Sequence, residues 1–200
     1  MVPRNRLLQI TRIGTAIAGV ALIFVIFLPI WRIELDAPQY PEGLAMQIYA
    51  DRLAGEIDII NGLNHYIGMR TLHADDFWEF SILPYIFGGF ALVGVLVAIV
   101  NRKWLFFTWA FGFLAFAVLA MIDFYKWEYE YGHNLDPKAP IQVPGMAYQP
   151  PLIGFKQLLN FGAFSIPDTG GWILTGVGVI AAGLIFLELK RKKNAPIQTI

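Results

Sequence analysis

"ILPYIFGGFALVGVLVAIV" (82–100), "NRK" (101–103) and "WLFFTWAFGFLAFAVLAMI" (104–122) follow one another without interruption. Neither long run contains a charged residue, and the short turn between them carries Arg102 and Lys103. A run of about 20 apolar residues crosses the ~30 Å hydrocarbon core of a bilayer as helix. Lipid gives the backbone no hydrogen-bond partner, so each run is expected to be helical throughout. The three segments together predict two membrane spans joined by a tight basic turn.

Two further runs have the same character: IGTAIAGVALIFVIFLPIW (13–31) and GWILTGVGVIAAGLIFL (171–187). The chain is 56% hydrophobic and only 15% charged, a balance typical of membrane proteins and extreme for a soluble domain. The expected fold is therefore an integral membrane protein, mainly α, built as a four-transmembrane-helix bundle. Its spans are TM1 13–31, TM2 82–100, TM3 104–122 and TM4 171–187.

The basic residues orient it. Arg4, Arg6 and Arg12 lie in segment 1–12, Arg102 and Lys103 in turn 101–103, and Lys190, Arg191, Lys192 and Lys193 in tail 188–200. Four spans put these segments on one side, and the positive-inside rule makes that side cytoplasmic. The long loops 32–81 and 123–170 then face outward. Nine of the 15 basic residues sit inside against one acid, Glu188, so the formal neutrality hides a charge difference across the membrane. The expected location is the bacterial inner membrane, multi-pass, with both termini cytoplasmic. A basic stretch before the first run also fits a secretory signal, but the run is long for one and no small-x-small site follows it. It reads as a retained anchor.

The spans hold no ionisable group, which argues against a self-contained pump or ion transporter. Trp31, Trp78, Trp104 and Trp172 fall at expected helix ends, where amphipathic rings favour the interface. Small residues at Gly14/Ala18, Gly178/Ala182, Gly88, Gly89 and Gly94 suit close helix packing, within the bundle or against another subunit. Function is expected in the loops, pictured as a small mixed α/β cap. "LAMQIYA" (44–50) alternates as a strand does, and "EIDII" (56–60) is a second strand candidate. "DFYKWEYEYGH" (123–133) extends the third helix outward, and "LIGFKQLLNFGAF" (152–164) reads as a short interfacial helix. The acidic pairs Asp75–Asp76 and Glu128/Glu130 read as solvated charge.

All three histidines are in these loops, and "NGLNHYIGMRTLH" (61–73) sets Asn61, His65, Met69 and His73 four residues apart. Imidazole and thioether both bind soft metals. Gly62 and Gly68 argue against one helix over the whole stretch, so His65 and Met69 share a face while His73 returns by a bend. The plainer alternative is a hydrogen-bonded histidine and a core methionine. There is no cysteine, hence no disulfide and no thiolate ligand. Hydrolytic, phosphate-binding and nucleic-acid signatures are lacking, and no nucleic-acid partner is expected.

The words PEGL (41–44), INGLNHYIGM (60–69), YGHNLDPKAPIQVPGMAYQPPLIG (131–154) and KQLLNF (156–161) resemble a family of small bacterial multi-pass membrane proteins. That family is associated with gene neighbourhoods for copper trafficking and nitrous-oxide-reductase maturation. The resemblance implies a copper-related setting without a mechanism. It singles out His65 and Met69 in one motif and His133 and Met146 in the other, with His73 as an extra ligand. The expected function is a copper-binding accessory protein or chaperone at the periplasmic face, holding copper as cofactor or cargo or delivering it to a respiratory metalloenzyme. The alternative is a metal-free structural or assembly subunit of a membrane respiratory complex. A third reading, an enzyme with a loop-borne metal centre, ranks below both. Expected partners are membrane lipid, a periplasmic or membrane metalloenzyme, and further copies or subunits of a complex.

Overall fold

The computed structural model describes residues 5–193; Arg4, the tail beyond Lys193 and the side chains of Lys192 and Lys193 lie outside the described residues. The described residues form five α-helices and five strands. α1 (Gln9–Val25) leads into β1 (Trp31–Ala37), β2 (Tyr40–Ile48), β3 (Leu53–Gly55) and α2 (Ile57–Ile67). Two 3-10 turns, Ala74–Asp76 and Trp78–Ser81, precede α3 (Leu83–Val100) and α4 (Lys103–His133). β4 (Gly154–Leu158), β5 (Phe161–Pro167) and α5 (Thr169–Lys193) complete the fold.

Of these, α3, α4 and α5 are long and apolar enough to cross a membrane, which makes this a membrane-embedded protein. α1 is apolar but shorter, at 17 residues. Its early end corrects the expected run to Trp31. Proline disfavours helix in the residue before it and cannot donate a backbone bond. Pro29 thus turns the chain, and Trp31 opens a strand. There Trp31 is buried, its indole N–H donating to the Ser165 hydroxyl at 2.8 Å. Trp78, Trp104 and Trp172 remain exposed.

α1 packs on α3 and α5, and α4 packs on the same two, so the helices close a ring of four. The tightest approach is Gly19 against Gly94: a Cβ on Gly19 would lie 2.8 Å from the Ala91 carbonyl oxygen. Gly88 and Gly89 face open space instead. At the end of the ring nearer the N-terminus, Glu188 is buried and forms the hub of a polar knot. Its carboxylate accepts from the Leu8 N–H (2.7 Å) and the Thr11 hydroxyl (2.9 Å), and pairs with Lys103 at 2.9 Å. The lone acid of the basic side is therefore a structural joint.

At the other end the two long loops form one body. β1 pairs antiparallel with β2 from its own loop and with β5 from the other, giving a five-stranded sheet of order β3-β2-β1-β5-β4. Trp31, Ile33 and Leu35 on β1 alternate with Arg32, Glu34 and Asp36, so one sheet face is apolar. Two local expectations are corrected. "EIDII" begins α2, because Ile57, Ile60, Leu63, Asn64 and Ile67 repeat at helical spacing once the window extends past Gly62. Residues 152–164 form the β4–β5 hairpin, turning at Leu159 with φ 55°, and Phe155 closes over Gly162. α4 does run out of the bundle to His133 as expected. At 1.5 Å per residue its 31 residues span roughly 46 Å, well beyond the bilayer core. Its outer third belongs to the cap, with Phe124 against Trp31 at 5.2 Å and Trp127 against Phe77 at 5.4 Å.

Candidate functional site: an apolar cavity in the cap

The stretch 61–73 first serves to join the two loops. Asn61 clasps the backbone of Leu72, accepting from its N–H at 2.7 Å and donating to its carbonyl at 3.0 Å. Asn64, buried, donates to the Tyr131 hydroxyl on α4 at 2.6 Å, and that hydroxyl donates to the Arg70 carbonyl at 2.7 Å. Gly68 ends α2 in the left-handed region (φ 80°), where a Cβ would meet Ala139 and the Asp136 backbone at 2.9 Å. The Asp136 N–H bonds the Gly68 carbonyl, and the Ile141 N–H bonds the Tyr66 carbonyl. Motifs that lie some 70 residues apart in sequence are thereby held edge to edge.

Between them lies a cavity of ≈ 370 Å³. Its floor is the apolar face of the sheet, including Ile33, Leu35, Met46 and Phe161. α2 contributes Ile60, Leu63 and Ile67, α4 contributes Trp127 and Tyr131, and the second loop contributes Ile141, Tyr148 and Pro150. Exposed Gln39, Tyr66, Ile141 and Asn160 mark the rim. The turns bearing Gln39 and Asn160 are the strand ends farthest from Trp31 and Pro167, which join the bundle, so the rim points away from the spans. The lining contains no charged side chain and no histidine. Pockets of about 300–1,000 Å³ with mostly apolar walls and a few polar groups are the usual form of small-molecule sites.

Two buried polar groups of the cap, one of them on the cavity wall, have no hydrogen-bond partner among the described residues. One is the hydroxyl of Tyr148, a lining residue 1% exposed whose ring stacks on Phe161. An unmet buried group of this kind costs about 1–3 kcal/mol. The other is Glu128 in the outer third of α4, 0% exposed, with both carboxylate oxygens unmet. Burial pushes its carboxyl up to about 8. This corrects the reading of Glu128 as solvated charge; Glu130 is indeed exposed. The helical period gives the reason. Glu128 shares a face with Phe124, Tyr131 and Gly132, the face that α4 turns into the cap. Asn64, Tyr131 and Tyr148 lie inside the quoted motif words, but were not singled out there because the histidines and methionines beside them carried the metal-ligand chemistry.

The five residues singled out as metal ligands are distributed differently. His65 is exposed on α2, edge-on to Tyr66. His73 is exposed, with Nε2 3.1 Å from the Thr71 hydroxyl. His133 is exposed at the end of α4, stacked on Tyr129 at 4.0 Å, with Nδ1 2.8 Å from the Tyr129 carbonyl oxygen. Met69 is buried and Met146 half-buried, both in the apolar core of the cap. Met69 does not share a helical turn with His65. The helix ends at Ile67, and the left-handed Gly68 redirects the chain inward. Among the described residues no group of three or more His, Cys, Asp or Glu side chains is placed to hold a metal ion. The chain matches no family model, no curated protein and no solved structure.

Proposed function

We propose that this is a membrane-anchored accessory protein of the bacterial inner membrane. Its cap, facing the outer compartment, holds a ligand or delivers it to a neighbouring protein. The observation that carries this reading is the merging of both loops into one sheet around a cavity, on a bundle whose spans carry no ionisable group through their middles. The bundle anchors and the cap binds. α1 is assigned as the fourth span: Ile10, Ile13, Ile17, Val20 and Phe24 form an exposed apolar stripe at helical spacing, suited to lipid. The basic end, with the Glu188 knot, is assigned to the cytoplasm.

The chain has no cysteine, so single-cysteine variants test the topology directly. A membrane-impermeant maleimide should label Asp36→Cys in intact spheroplasts and Lys190→Cys only after permeabilisation. The opposite pattern would reverse the assignment, and labelling of both sites from outside would remove it. Mild-detergent pull-down then asks for the neighbouring protein; recovery of the bare chain alone under every condition would count against an accessory role.

A second reading keeps copper as the ligand. It is favoured by one observation: Met69 and Met146, two of the thioethers named from sequence, belong to the same cap cluster, along with Met46 and Met121. Thioethers are soft ligands suited to Cu(I). Purified protein reconstituted with Cu(I) should retain copper, and Met69→Leu/Met146→Leu should lose it. A wild-type protein that holds none ends this reading.

A further inference from the structure

The walls of the cavity bear on the chemistry of its occupant, resting on the reading of the cap as a ligand holder. These walls are aliphatic and aromatic, and every polar side chain on them is neutral: amides, phenols and the Trp127 indole. A charged group inside would leave water without a counter-charge to meet it, a cost large enough to exclude ions. Asn64 and Tyr131 are engaged with each other and with the Arg70 carbonyl, so they have little left to offer. Tyr148 differs. It lines the cavity, is 1% exposed, is held by its stack on Phe161 and its backbone bond to the Gly132 carbonyl, and has an unpartnered hydroxyl. Met46 and Met69 on the walls add pliant surface, which accommodates a flexible chain better than a rigid lock would.

We propose that the cap cavity binds an uncharged amphiphile with a flexible medium-length chain, whose one hydroxyl or carbonyl oxygen pairs with the Tyr148 hydroxyl. Such a molecule enters from the rim at Gln39 and Asn160, away from the spans. Its chain lies between the sheet and α2, reaching towards Trp127. Selectivity follows from charge: an alcohol enters, while the carboxylate or ammonium of equal length stays out.

The test uses the full chain in lipid nanodiscs and three diazirine-bearing ten-carbon probes, all at pH 7.5: an alcohol, a carboxylate and an ammonium. After photolysis, adducts are mapped by peptide mass spectrometry. The alcohol should label the segments around Leu63 and Tyr148 saturably and in competition with unlabelled decanol. The two ions should label them at least about tenfold less. Tyr148→Phe keeps the ring and its packing, and should weaken alcohol labelling by about 2–10-fold, the loss expected for one hydrogen bond. Leu63→Trp should reduce labelling by filling the space. Labelling confined to lipid-facing span residues overturns the proposal, as does equal labelling by the ions or by Tyr148→Phe. Maleimide topology is read independently, so a cap on the outer side without alcohol binding would fail this inference alone.

Discussion

The Asn64 amide stands 2.6 Å from the Tyr131 hydroxyl, a side-chain bond across 67 residues that fastens the first loop to the outward extension of α4. The same hydroxyl donates to the Arg70 carbonyl, so one phenol fixes both α2 and the strand of chain that leaves it. Tyr131→Phe removes both bonds and leaves the buried Asn64 amide and the Arg70 carbonyl without this partner. The expected loss is about 1–3 kcal/mol of cap stability. It would appear as a lower midpoint in thermal unfolding followed by tryptophan fluorescence, with helical content of the bundle retained. An unchanged midpoint would mean that the bond contributes nothing.

Glu128 should make stability fall as pH rises. Its carboxyl titrates at about 8 in the fold against an ordinary value of 4.5, because burial disfavours the charged form. Below 4.5 both folded and unfolded states are protonated. Between 4.5 and about 8 the folded state keeps a proton that the unfolded chain has released, so each unit of pH costs up to about 1.4 kcal/mol. Above about 8 the loss is complete. Glu128→Gln is neutral throughout and should remove this slope, making the variant the more stable protein at alkaline pH. Parallel pH profiles for the two would contradict the burial of the acid.

Gly132→Ala should separate the second loop from α4. A Cβ there would collide with the backbone and side chain of Gln149, and the adjacent Tyr148 N–H bonds the Gly132 carbonyl at 2.9 Å. The clash is with backbone, which cannot swing aside as a side-chain tip can. Hydrogen exchange should rise across 144–152 while α3 stays protected. Protection equal to wild type would show that the loop has room to shift.

Glu188→Ala strips four partners at once: the Leu8 N–H, the Thr11 hydroxyl, the Lys103 ammonium and, at 4.0 Å, the Arg191 guanidinium. Lys103 is left without this close partner in a largely enclosed site. Breaking one side of a buried pair costs about 3–5 kcal/mol. Purified yield and detergent-resistant melting should both drop, and Glu188→Gln should recover part of the loss by keeping the two hydrogen bonds. A melting point unchanged in Glu188→Ala would make the knot incidental.

Much of this architecture was legible in linear sequence because lipid imposes a one-dimensional rule. A charge-free run of sufficient length has no alternative to helix, so α3, α4 and α5 follow from counting residues. The extension of α4 past the membrane was also legible, since nothing from Asp123 to His133 breaks a helix. Period 2 in LAMQIYA gave a strand for the same reason: alternation is a local property. The errors arose where locality ends. Ile57–Ile60 looks like a strand until Leu63, Asn64 and Ile67 are counted with it, and 152–164 looks helical until β1 offers β5 a partner from the other loop.

The site depended on tertiary structure almost entirely. Sequence drew attention to His65, His73 and His133 because imidazole has conspicuous chemistry, yet the fold leaves all three on the surface and turns the asparagines of the same motif inward. Spacing along a chain states which side chains share a helix face. It does not state which face the rest of the molecule covers. That choice was made by the pairing of β1 with β5, which joins the two loops as expected but closes the cavity with Tyr148, Pro150 and the apolar face of α2 rather than with the histidines. The spans were decided by the solvent, one residue at a time; the cavity was decided by contacts between distant segments, which no local pattern encodes.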